Sequence, residues 1–99
     1  MQRVARLDHP EVREVVASHH CVLRFRQRRP VRERGAEAVA DALIEALEHS
    51  DVSGWPPAWA LSDRAIGLWA VAADLAFPLE RTDVPGRWLA TTCLSRPRR

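Results

Sequence analysis

The chain has 99 residues, 46% of them apolar and 28% charged, with a formal net charge of +2. That length fits one small domain with a single modest core. The balance excludes a chain disordered throughout, and the longest weakly polar run, over 65–79, is broken by Asp74 and Pro78 and is too mixed to cross a bilayer.

The charge is unevenly placed. Through Gly35, nine arginines stand against four acids, a local charge of +5; the remainder holds six arginines against nine acids, −3. A basic N-terminal third beside an acidic remainder points to an anionic partner for the basic part. All fifteen basic residues are arginine, a bias that a GC-rich genome also produces.

The opening "MQRVARLDHPEVRE" lacks the apolar segment of a secretory signal, so the expected compartment is the cytoplasm. Asp8 is placed to cap a short helix over 10–16 with Pro10 in its first turn. Ser18 is a second capping position, and the sequence leaves open whether its helix is continuous with the first. Pro30 stops this helical stretch, because it disfavours helical geometry in the residue before it and donates no hydrogen bond. Over "GAEAVADALIEALEHS" (35–50), Ala36, Val39, Ala40, Leu43, Ile44 and Leu47 repeat at helical spacing, with Glu37, Asp41, Glu45 and Glu48 on the solvated side.

Beyond Asp51 the period moves towards two. "SGWPP" is turn chemistry, and strands are expected at "PAWAL" (57–61), "GLWAVA" (67–72), "LAFPLE" (75–80) and "RWLATTCLS" (87–95). Val84-Pro85-Gly86 is the strongest hairpin signal, and Pro78 belongs on an edge strand or at a bulge. A helix over 63–77 is the rival reading, since alanine is frequent there. The expected fold is α+β, two or three N-terminal helices on a four-stranded antiparallel sheet. It forms a single domain over 1–99: an extension or short helix over 1–17, a helical part over 18–50 and the sheet over 55–96.

The chemistry concentrates in "HHCVLRFRQRRP" (19–30). On a helix, positions four apart nearly align, so His20, Arg24 and Arg28 form one stripe beside the core-facing Cys21, Val22 and Phe25. Imidazole moves protons near neutral pH, and guanidinium presents a rigid fork of donors that matches phosphate oxygens. Together they meet the needs of RNA cleavage by its own 2′-hydroxyl, without a metal or other cofactor. The plainer account is a hydrogen-bonded structural histidine and arginines that solvate a helix edge. Arg26 and Arg29 fall elsewhere on the wheel and Arg32 follows Pro30; these three are the expected nucleic-acid-binding residues.

No other constellation competes. His19 and His20 are adjacent and point apart, no ligand spacing supports zinc, and no glycine-rich phosphate loop is present. Cys21 and Cys93, far apart and without CxxC spacing, are expected as buried free thiols. Of Trp55, Trp59, Trp69 and Trp88, most are expected in the core, with one available to stack on a base.

His20-Cys21-x-x-Arg24-Phe25-x-x-Arg28 resembles the "HAxxR(F/Y)xxR" opening of small bacterial and phage proteins allied to RelE-like toxins and the barnase, EndoU and colicin-type ribonuclease superfamily. In that superfamily the motif helix comes first and packs on a four-stranded antiparallel sheet. The resemblance implies that His20 is general acid or base, that Arg24 and Arg28 hold phosphate, and that Thr92 is a positioning hydroxyl, with Thr91 and Ser95 on the same closing strand. Cys21 stands in place of the usual alanine. The chain contains no tyrosine and none of the lysine-rich clusters of ribosome-dependent toxins.

Three functions therefore compete. The first is a toxin-like, metal-independent endoribonuclease. The second is a non-catalytic module that binds RNA or another nucleic acid. The third is an interaction protein whose basic face meets an acidic, antitoxin-like partner or a second copy of the chain.

Overall fold

Pairing across the chain, rather than local capping, decides the N-terminal segment. The computed structural model describes residues 3–28, 35–60 and 67–97. Its first elements are strands, β1 (Ala5–Arg6) and β2 (Glu14–Ala17), antiparallel with Ala5 opposite Val15. The expected helix over 10–16 is thus a bend leading into a strand. His9, not Asp8, holds the bend: its Nδ1 accepts the N–H groups of Glu11 and Val12 at 3.1 and 3.2 Å. Val12, Val15 and Val16 are buried, and β-branched side chains suit a pleated, packed surface better than a helix. β2 then pairs in parallel with β6 (Arg87–Ala90), placing Val15 opposite Trp88.

Ser18 connects strand to helix. Its N–H still bonds the Ala90 carbonyl at 3.0 Å, while its Oγ accepts the Cys21 N–H at 3.0 Å and donates to the Thr91 carbonyl at 2.9 Å. That is an N-cap, and it opens α1 (His19–Arg28), which buries Cys21 and Phe25. α2 (Ala36–Glu48) buries Val39, Leu43 and Leu47 and exposes its four acids, as its period indicates. Full burial of side chains such as Phe25, Leu43 and Leu47 stabilises by about 1.5–3 kcal/mol each.

The remaining elements are β3 (Asp51–Ser53), β4 (Leu68–Ala72), β5 (Leu75–Arg81), β6 and β7 (Leu94–Ser95). The sheet runs β1-β2-β6-β5-β4-β3, with β7 attached to β5, and curls into a half-barrel. Among the described residues there are two helices and seven strands in a mixed sheet. The expected two or three helices on a four-stranded antiparallel sheet are therefore corrected, and with them the topology that the ribonuclease resemblance implies. Strands of two to four residues carry too few alternations to register, and β2 depends on a partner about seventy positions away.

Two strand assignments also change. The strand expected over 57–61 is a turn as far as Ala60, closed by the Ala60 N–H on the Pro57 carbonyl at 2.9 Å; Leu61 lies outside the described residues. Pro56 and Pro57 supply no ladder donors there. The strand expected over 87–95 divides into β6 and β7. Between the pairs Ala76↔Leu94 and Leu79↔Ala90, residues 77–78 of β5 oppose 91–93, a one-residue bulge. Pro78 sits at that bulge, its carbonyl accepting the Thr91 N–H at 3.1 Å. N–H and C=O of a strand residue face the same neighbour, so the donor that proline lacks would point where the ladder is interrupted.

Hairpins join β4 to β5 and β5 to β6. Arg87 N–H bonds the Val84 carbonyl at 3.1 Å, with Pro85 second and Gly86 third at φ +80°, the pattern of a type II turn. The β4–β5 turn places Ala73 at φ +52°, a left-handed position that is strained for a residue other than glycine. Over the described part of 63–77 the strands β4 and β5 stand in place of the rival helix. Among the described residues no helix is long and apolar enough to cross a membrane.

Candidate functional site

The Ser18 cap fixes where α1 begins and hence which side chains share a row. Cys21 and Phe25 enter the core, so the residues just before them, His20 and Arg24, run along the exposed border, with Arg28 one turn further on. The row is linked by contacts. Arg24 Nε donates to His20 Nε2 at 3.5 Å and Arg24 Nη1 to Gln27 Oε1 at 3.3 Å. Arg28 Nε donates to the Cys93 carbonyl at 3.3 Å, inside the bulge. α1 therefore lies along the β6–β7 crossing, tied at Ser18–Thr91 at one end and Arg28–Cys93 at the other.

The foot of the row opens into a cleft of about 480 Å³ lined by Arg24, Gln27, Arg28, Asp74, Ser95, Arg96 and Pro97. The β7–β5 pairing brings Arg96 there, and its N–H bonds the Asp74 carbonyl at 2.7 Å. Among the described residues, three arginines and one acidic residue thus line the same space. α1 itself carries no acid. Among the described residues the ion pairs are Arg3–Asp41 and Arg87–Glu14, and neither involves a cleft arginine. Among the described residues, a recess of about 440 Å³ beside α2 has Glu45 and His49 as its ionisable lining and no arginine, and the His49 ring nitrogen faces the Glu45 carbonyl at 2.9 Å.

Neither Cys21 nor Cys93 is in a disulfide, and both are completely buried. Burial first, and the neighbouring Cys93 second, push the Cys21 thiol up to about 12. At neutral pH it stays a thiol, neither nucleophile nor metal ligand. No group of three or more His, Cys, Asp or Glu among the described residues is arranged to hold a metal ion.

Of the residues expected from the sequence, His20, Arg24 and Arg28 come together on one ridge, and the two arginines line the cleft. Arg26 is exposed on α1 but does not line it. Arg29 and Arg32 lie outside the described residues. Thr92 is half-buried in the bulge and is not part of the cleft lining. Thr91 instead directs its hydroxyl to the Pro78 carbonyl at 3.5 Å. Arg96 and Asp74 are cleft residues that the sequence pattern does not single out. Only the β5–β7 register brings them beside α1, although the run "SRPRR" already marks a basic segment. No protein-family model, curated protein or solved structure matches the chain.

Proposed function

We propose that the protein binds nucleic acid, RNA foremost, by holding backbone phosphates in the cleft of Arg24, Arg28 and Arg96. One observation carries this reading: among the described residues, three arginines from two distant segments line one polar cleft with a single acidic residue, Asp74, and none of the three is used in an ion pair. Guanidinium forks match phosphate oxygens in pairs, and fixed cations release condensed counterions from a polyanion. Buried, reduced cysteines fit the cytoplasm, which we propose as the compartment. In a gel-retention assay at low salt, labelled RNA is expected to be held by the wild type and released progressively by Arg28→Ala and Arg96→Ala. Wild-type protein that leaves the RNA unretained at low salt contradicts the reading and favours an acidic protein partner or self-association.

A second reading, endoribonuclease, has its own observation in the His20–Arg24 contact at 3.5 Å. His20 would take the 2′-hydroxyl proton as that oxygen attacks phosphorus. The 5′-oxygen would leave with a proton from water, and Arg24 and Arg28 would hold the phosphorane. The Nε2 lone pair that this step requires is the one facing Arg24 Nε, so binding RNA would have to draw Arg24 away first. Cleavage in EDTA by the wild type and not by a folded His20→Ala variant supports this reading. RNA left intact by both removes it for free RNA.

A further inference from the structure

Beside the cationic cleft lies a smaller recess of about 170 Å³, lined by Arg28, Trp59, Ala60, Leu94, Ser95 and Pro97. It shares Arg28, Ser95 and Pro97 with the cleft, so the two adjoin. The cleft adds Arg24 and Arg96 to that shared lining, and the recess adds Trp59, Ala60 and Leu94.

The four tryptophans separate cleanly at this point. Trp69 and Trp88 are buried, and Trp88 Nε1 donates to the Glu11 carbonyl at 3.0 Å, so both belong to the core. Trp55 is 76% exposed and does not line the recess. Trp59 alone is partly exposed and lines the recess. It is carried by the turn that closes from Ala60 to Pro57, and the two prolines before it stiffen that turn. A stiff backbone at this turn lowers the conformational entropy lost when a base stacks on the ring.

We propose that the recess takes the base of the nucleotide whose phosphate sits against Arg28, and therefore that the ligand is a single strand with unpaired bases. The inference rests on the phosphate-binding reading of the cleft. A phosphate and its base are separated by one sugar, so their sites must adjoin, and Arg28 is common to both. A recess of about 170 Å³ is well below the roughly 300–1,000 Å³ of a drug-sized pocket, and suits one ring system. In a duplex both faces of each base are already stacked, so Trp59 would find nothing to cover. Every base has a π-face, so the recess accepts any base without strong sequence preference.

The test compares binding of the full chain to labelled oligo(dT) and to an abasic strand of equal length, by fluorescence anisotropy at low salt. The wild type is expected to prefer oligo(dT) by roughly five- to hundredfold, the range of one stacked base. Trp59→Ala is expected to lower oligo(dT) affinity to the abasic level and leave the abasic strand unchanged, while Trp59→Phe keeps most of the preference. Should Trp59→Ala fail to fold, the wild-type contrast and quenching of tryptophan emission by oligo(dT) alone still decide. Equal affinity for both strands, unmoved by Trp59→Ala, overturns the base recess and leaves the phosphate cleft standing. No binding of either strand overturns the phosphate reading itself.

Discussion

Cys21 is a residue whose chemistry departs far from its free state. Its pKa rises from 9.0 to about 12, by burial and then by Cys93. A raised folded-state pKa means that stability is fully present below the unfolded value and falls as pH climbs from there through the folded value. Lysine and tyrosine are absent from the chain, so neither adds a titration of its own in that interval. Between pH 9 and about 12 the wild type is expected to lose about 1.4 kcal/mol per pH unit for this thiol. Denaturant titrations along a pH series should show a shallower alkaline decline in Cys21→Ala, whatever that variant loses at neutral pH. An identical slope in both proteins speaks against the buried, protonated thiol. At the same scale, the row of His20, Arg24 and Arg28 was legible, because helical spacing alone aligns positions four apart. The place of Thr92 was not. Strand alternation assigns faces only in an unbroken strand, and the bulge at 91–93 breaks it.

Among the elements, α1 depends most on a single side chain. Ser18 closes the ladder with Ala90, caps α1 through Cys21 and holds the Thr91 carbonyl. Ser18→Ala removes the cap and the Thr91 bond together, and is expected to cost about 1–2 kcal/mol. It should also weaken RNA binding, because α1 is no longer pinned along the bulge that receives Arg28. A melting temperature equal to wild type would show that the cap is dispensable. α2 was legible in full because its period is local and long, as were the Val84–Gly86 turn and the position of Pro78. β2 was not. Asp8 and Pro10 form a sound helix start in isolation, and only the parallel partner Trp88 makes the strand the lower-energy choice for Val15 and Val16. β3, three residues long, carries too little pattern to distinguish it from the turn that follows.

For the whole molecule, composition located a basic third, and folding selects which of its arginines remain available. Arg3 pairs with Asp41 on the acidic side of α2, and the Arg6 N–H bonds Glu48 Oε2, so β1 is fastened to that acidic side. Arg24 and Arg28, on a helix without acids, are joined by Arg96, which directly follows β7. The molecule thus separates an acidic helix face from a cationic cleft, and the central claim concerns that cleft. The most direct measurement is the salt dependence of RNA affinity for the wild type and for a folded variant with Arg24, Arg28 and Arg96 all changed to Gln. The account expects a wild-type log–log slope near −2, about 0.7 per phosphate held by each of three arginines, and a slope close to zero in the variant. Equal slopes in the two proteins would contradict it, because the phosphates would then be held elsewhere.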